Sequence, residues 1–292
     1  MKTARGVCPG SISRRQALGL LGTLAITRSA GAAEQALMQP VSLDHINIRV
    51  ANVARSGAFY MGLFDTPVLR NAALRAQPTS PPSEGYFIKF GDGYLAISQA
   101  FSPNMPGLDH YSLGLRDYDK TKLEQKLREN GIAAPPRPGA DLWLSDVDGN
   151  LMQLRPPGGW ARQTATPYQG PARTGPALSP LSISRVVLLC ADVARAGDYY
   201  GKLFGTEIAS AASSRSRAFS IGDSVLEVIP VAATSAAPTR VGMDRIRVAI
   251  KDFNAATVAQ VLRERGIESS VATGAVRVVD PDGNGIELAA AS

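Results

Sequence analysis

The segment HINIRV at positions 45–50 alternates strictly, with Ile46, Ile48 and Val50 on one side of an extended chain and His45, Asn47 and Arg49 on the other. A period of two predicts a strand with one apolar face. The spacing then changes. From Val53 to Phe64 the apolar positions fit a helix, with Asn52 placed as its N-cap and Phe59 and Tyr60 near its end. Short strands are predicted around Val68, over Tyr86–Phe90 and over Tyr94–Ser98. HYSLGL at 110–115 opens a second series. Its helix covers DKTKLEQKLREN at 119–130, and Gly131 closes it as the residue after the cap. LWLS, the turn DVDGN at 146–150 and LMQLRP complete the series, so the pattern is strand, helix and three strands, twice over.

The whole arrangement then recurs. VANVARSGAFYMGLFDT from Val50 returns as CADVARAGDYYGKLFGT from Cys190, 140 residues later. FGDGYLAI from Phe90 pairs with IGDSVLEV from Ile221, LDHYSLGL from Leu108 with MDRIRVAI from Met243, and DVDGNLMQL from Asp146 with DPDGNGIEL from Asp280. These matches define two homologous domains, 41–157 and 181–290. The stretch between them, Arg155–Pro180, carries enough proline and glycine to exclude regular structure, and 158–180 reads as an extended linker. Trp160 inside it is expected to pin the linker onto a domain surface.

The first 32 residues stand apart. SRRQALGLLGTLAI from Ser13 resembles a twin-arginine (Tat) export signal: Arg14 and Arg15 are the pair, Leu18–Ile26 the apolar core, and Ala30-Gly31-Ala32 a small-residue cleavage site. Ala17 stands where that pattern prefers phenylalanine. The apolar run is well short of the ~20 residues that a spanning helix needs, so no stable membrane anchor is expected. The resemblance implies the Tat machinery as a partner and a periplasmic or secreted location. Removing residues 1–32 takes away five positive charges, and the formal net charge falls from +6 to 6 − 5 = +1. Nucleic-acid binding thereby loses its main support. Cys8 leaves with the signal, and Cys190, in the apolar run VVLLC, is expected to be a small buried hydrophobe. No intramolecular disulfide is then possible.

A Leu-Asp-His strand, a helix ending in Phe-Tyr-x-x-Leu-Phe, a second Leu-Asp-His strand and Asp-x-Asp-Gly-Asn before the last strand resemble, in that order, the vicinal oxygen chelate superfamily. That superfamily includes glyoxalase I, extradiol dioxygenases and bleomycin-resistance proteins. The resemblance implies an α+β fold of two tandem domains, each built from paired βαβββ modules that form an incomplete barrel around a cleft. It also implies metal ligands on the first and fourth strands of the modules, which in the first domain are His45, Ala96, His110 and Gln153. Both histidines of the chain, at 45 and 110, fall on ligand positions.

The residues make a case of their own. Alternation places His45 with Asn47 and Arg49, His110 with Ser112 and Gly114, and Gln153 with Arg155, each opposite an apolar set. A sheet face that is polar on several strands must meet solvent or a wet cavity. Neutral imidazoles suit Fe, Mn, Ni or Zn as divalent ions, with an oxygen donor to complete an open site. Where family members with working sites usually place a glutamate, Gln153 offers a neutral oxygen, and Ala96 offers nothing. Glu84, in the loop before the third strand, is a candidate replacement. Asn47, Ser112 and Tyr94 are candidate substrate contacts.

The second domain has Arg185, Glu227, Arg245 and Glu287 at the same four positions. Arginine cannot ligate a metal, so a metal-free cluster is expected in which each arginine satisfies a glutamate. DVDGN does not match a calcium loop, since Gly149 is fourth counting from Asp146 where an EF-hand needs it sixth; both copies read as tight turns. The function these features imply is an exported metal-dependent enzyme, of dioxygenase, lyase or isomerase type, acting on a small oxygen-rich organic substrate in the first-domain cleft. The alternatives are a non-catalytic binding protein of the bleomycin-resistance type and a structural module with vestigial clefts.

Overall fold

The computed structural model describes residues 36–75, 82–100, 106–137, 139–170, 175–205, 207–208, 215–231, 242–272 and 274–291. The export signal expected at 1–32 lies outside them. The first half runs β1 (Pro40–Val50), α1 (Val53–Leu63), β2 (Val68–Arg75), β3 (Pro82–Phe90), β4 (Gly93–Gln99), β5 (Gly107–Leu115), α2 (Lys120–Glu129), β6 (Leu142–Ser145) and β7 (Leu151–Arg155). After the short strand β8 (Thr166–Pro167) the second half runs β9 (Pro180–Cys190), α3 (Val193–Phe204), β10 (Glu207–Ile208), β11 (Arg217–Ile221), β12 (Ser224–Pro230), β13 (Gly242–Ile250), α4 (Ala255–Glu264), β14 (Ser269–Ala272), β15 (Ala275–Val279) and β16 (Gly285–Ala289). Two eight-stranded mixed sheets result, ordered β6-β7-β5-β1-β4-β3-β2-β8 and β10-β11-β12-β9-β13-β16-β15-β14. The architecture is α+β with two tandem domains.

The four helices among the described residues start as the sequence dictates. Asn52, Asp119, Asp192 and Asn254 each sit in extended backbone and accept a hydrogen bond from an N–H of the first turn. Gly131, with φ of 72°, ends α2 in the left-handed region that its missing Cβ makes accessible. In the first sheet Ile46, Ile48, Leu95, Ile97, Tyr111, Leu113, Met152 and Leu154 point away from the polar face and are buried. Each contributes about 1.5–3 kcal/mol by leaving water. One apolar core runs through both halves.

Two expectations need correcting. The second module of the first half has two strands after its helix among the described residues, not three: between α2 and β6 stand Pro135 and Pro136, which have no N–H to give to a ladder. The second half has its full set, β14 to β16. The linker, expected to lack regular structure, carries a 3-10 turn at Gly159–Arg162 and strand β8, which pairs with the edge of β2. Trp160 does tie it down. Its N–H donates to Asp92 O at 2.8 Å, and its ring lies under Lys89 and edge-on to Tyr94.

The two halves exchange equivalent contacts. Tyr60 of α1 donates its hydroxyl to Asp280 of the DPDGN turn at 2.8 Å, and Tyr200 of α3 donates to Asp146 of the DVDGN turn at 2.7 Å. Each turn is itself organised by its first aspartate: Asp146 Oδ1 accepts from the N–H groups of Asp148 and Asn150, and Asp280 Oδ1 does the same for Asp282 and Asn284. The segments leading into the first strands also cross over. Met38 N–H donates to Leu203 O of α3, while Leu178 exchanges two backbone hydrogen bonds with the end of α1, at Leu63 and Asp65.

Candidate metal site

The polar face of the first sheet is assembled by register. His45 on β1 pairs with Ser112 on β5, Ser112 with Gln153 on β7, and Gln153 with Trp143 on β6. The row above it pairs Ala96, Asn47 and His110. Tyr94 of β4 lies beside His45, its ring stacked on the imidazole with centroids 4.6 Å apart. Strand alternation therefore brings His45, Asn47, Tyr94, His110, Ser112 and Gln153 onto one face. The two histidines meet head to head, with Nε2 atoms 3.0 Å apart and both rings buried.

Residues that the alternation does not flag orient them. The β1–β5 register slips between Asn47 and Ile48, leaving Asp109 as an unpaired bulge residue. A bulge re-aims its side chain, and the Asp109 carboxylate reaches His110 Nδ1 at 2.6 Å and accepts from Arg49 Nε at 2.7 Å. Burial pushes the Asp109 carboxyl up, but His110 and Arg49 outweigh it and hold it down at about 2. An ionised Asp109 draws the His110 proton to Nδ1 and leaves the Nε2 lone pair facing His45. His45 is kept neutral well below the usual histidine range, first by burial and then by its neighbours His110 and Arg155. Gln153 donates its amide to Asp141 at 2.6 Å. Asp141 and the buried Asp44 lie on either side of Arg155, each 3.7 Å from its Nε.

The candidate substrate contacts divide. Asn47 accepts a hydrogen bond from Ser98, and Tyr94 OH accepts one from Gln163 of the linker turn. Ser112 Oγ has no partner. Nor do His45 Nδ1 and Gln153 Oε1, so three buried polar atoms in one cross-strand row are unsatisfied. Each such atom costs about 1–3 kcal/mol. Glu84, expected in a loop, falls within β3. Cys190 is buried and free, as an apolar residue would be. The sequence signal for Asp109 was the aspartate repeated before each histidine; Asp141 and Gln163 gave none.

These residues fit a weakly held divalent ion. The two Nε2 atoms, 3.0 Å apart, would hold such an ion, which would supply Lewis acidity there. The unsatisfied Gln153 oxygen is a neutral third donor. Among the described residues no three His, Cys, Asp or Glu side chains converge, so the set lacks an anionic ligand.

In the second sheet the same places hold ion pairs. Arg185 donates to Glu227 at 2.6 Å and Arg245 to Glu287 at 2.9 Å, as the charge pattern implied. Arg247 and Arg277 also bind Glu287.

No family model matches the chain, and no curated protein does. Solved structures do. The 2,3-dioxygenase LapB from Pseudomonas sp. KL28 superposes with a TM-score of 0.61 at 14% identity, covering 87% of this chain and 93% of that one. A catechol 2,3-dioxygenase superposes at 0.62 with 12% identity, over 87% and 89%. The Mn(II)-bound glyoxalase from Novosphingobium aromaticivorans superposes at 0.60 with 13% identity, over 87% and 83%. The fold is that of the vicinal oxygen chelate proteins. At these identities the likeness is one of architecture, and the vicinal oxygen chelate scaffold by itself assigns no reaction. What this example adds is an asymmetry, with imidazoles on one polar face and guanidinium groups on the other.

Proposed function

We propose that the first domain binds a divalent ion (Fe, Mn, Ni or Zn) through His45, His110 and Gln153, and acts there on a small oxygen-rich organic molecule by dioxygenase, lyase or isomerase chemistry. The observation that carries this is the pair of buried Nε2 atoms at 3.0 Å. When bound, the ion supplies Lewis acidity to substrate oxygens that chelate it. The chain does the rest. Asp109 fixes the His110 tautomer with Arg49 behind it, and Asp141 holds the Gln153 amide so that its oxygen is left for the site. Burial keeps His45 unprotonated and ready to donate a lone pair. Tyr94 and Trp143 pack against His45 and His110 and fix the ring planes. Ser112 is the unsatisfied group best placed to hydrogen-bond a substrate oxygen, since it sits between His45 and Gln153 in the row.

Metal analysis of the purified chain beside a His45→Ala, His110→Ala double variant tests the reading. Near-stoichiometric metal in the wild type alone supports it. No metal in either protein, even after reconstitution, removes it.

A second reading is favoured by the neutral Gln153 and by the direct contact between the imidazoles, in which His45 Nε2–H donates to His110. The cleft then sequesters an organic ligand without catalysis. Export through the Tat pathway to the periplasm or beyond is proposed on the residue pattern of positions 1–32; the N-terminal mass of the mature protein tests it, with Ala33 expected as the first residue.

A further inference from the structure

The polar face of the second sheet is layered by charge. Glu227 and Glu287 form its floor, with side chains 0% and 2% exposed, while Arg185, Arg245, Arg247 and Arg277 lie above them at 19%, 17%, 31% and 50%. A molecule entering over Arg185, Arg247 and Arg277 meets guanidinium groups before either glutamate, while Asp244, 33% exposed, lies nearer the surface against Arg245. The register makes this sharper. Arg185 on β9 pairs with Arg247 on β13, Arg247 with Glu287 on β16, and Glu287 with Arg277 on β15. This is the row that in the first sheet reads His45, Ser112, Gln153 and Trp143. Two like charges thus sit directly across a strand pair, which is unfavourable without a shared counter-ion.

The charges do not cancel. Among the described residues four guanidinium groups face three carboxylates, Glu227, Glu287 and Asp244, the last bound to Arg245. One positive charge is left over in a partly desolvated place. Donor capacity is left over too. Arg247 and Arg277 each use Nε and Nη2 on Glu287, and Arg185 uses Nη1 on Glu227. A guanidinium has five N–H donors in a fixed fork suited to planar or tetrahedral oxyanions, so the remaining edges of Arg185, Arg247 and Arg277 form a ready receptor.

We propose that the polar face of the second sheet binds a small multiply charged oxyanion, a phosphate or a polycarboxylate, between Arg185, Arg247 and Arg277. The site is independent of the first-domain metal. The full chain is titrated by calorimetry with inorganic phosphate and with citrate, at fixed ionic strength set by chloride. Dissociation constants below a few millimolar for at least one are expected, and the stronger of the two names the ligand chemistry. Arg247→Gln leaves Glu287 paired with Arg245 and Arg277, so the fold is retained; it is expected to weaken binding at least tenfold, and Arg277→Gln to do the same. His45→Ala is expected to leave it unchanged. The proposal is overturned if neither anion binds at matched ionic strength, or if both arginine variants bind as well as the wild type.

Discussion

At the scale of single residues, the affinity of the proposed first-domain metal site turns on Gln153. A carboxylate adds charge to a donor set that has none, and Gln153→Glu is expected to raise Zn²⁺ or Mn²⁺ affinity at least tenfold, about 1.4 kcal/mol, in a chelator competition assay. Asp109 acts one step away. Losing its charge frees the His110 tautomer, so Asp109→Asn is expected to weaken metal binding by about 10–100-fold while the circular dichroism spectrum stays unchanged. His45 and His110 were legible because the chain has no other histidines and both follow Leu-Asp before an alternating run. Asp109 was visible as the aspartate before His110, but its direction was not. Strict alternation sends it to the opposite face, and only the bulge, which needs the register of two strands to be seen, returns it to the side of His110 and Arg49.

At the scale of elements, the helices were the clearest features, since caps and apolar spacing are local. What the spacing could not show is where the helices point their tyrosines. Tyr60 and Tyr200 are both buried, yet each hydroxyl crosses to the other half. Tyr200 does more than its counterpart. Its hydroxyl also meets that of Tyr111 on β5, next to His110, and its acceptor Asp146 precedes β7, which carries Gln153. In the second domain Ile246 occupies the place of Tyr111 and has no hydroxyl. Tyr60→Phe and Tyr200→Phe are each expected to cost about 1–2 kcal/mol in urea unfolding; the latter alone should also shift the imidazole NMR signals of the two histidines. That no strand stands between α2 and β6 among the described residues was legible in Pro135 and Pro136, which the expectation of a complete module overrode.

At the scale of the whole molecule, one core and crossed contacts imply a single unfolding transition, and the charged face of the second domain sets its behaviour in acid. Burial raises the Glu287 carboxyl, but Arg245, Arg247 and Arg277 more than reverse this and hold it below the usual range. A depressed carboxylate stabilises the fold above its unfolded value, near 4.3, and that stability is lost as pH falls toward the folded value. Urea midpoints are therefore expected to hold steady from pH 7 to about 5 and to fall below that, by up to about 1.4 kcal/mol per pH unit for this group. Glu287→Gln should flatten the decline. The duplication was plain in the sequence, because repeats are visible as text; the exchange of contacts was not, because a residue and its copy look alike whichever half they touch.

That exchange bears on what a fragment would do. Residues 36–157 expressed alone keep a tyrosine, an aspartate turn and a lead-in segment, but each has lost the surface it met. A second copy offers all three surfaces again, with Tyr60 of one molecule free to reach Asp146 of the other. Light scattering on that fragment should report a dimer, and a monodisperse, folded monomer would show that the halves had never needed one another.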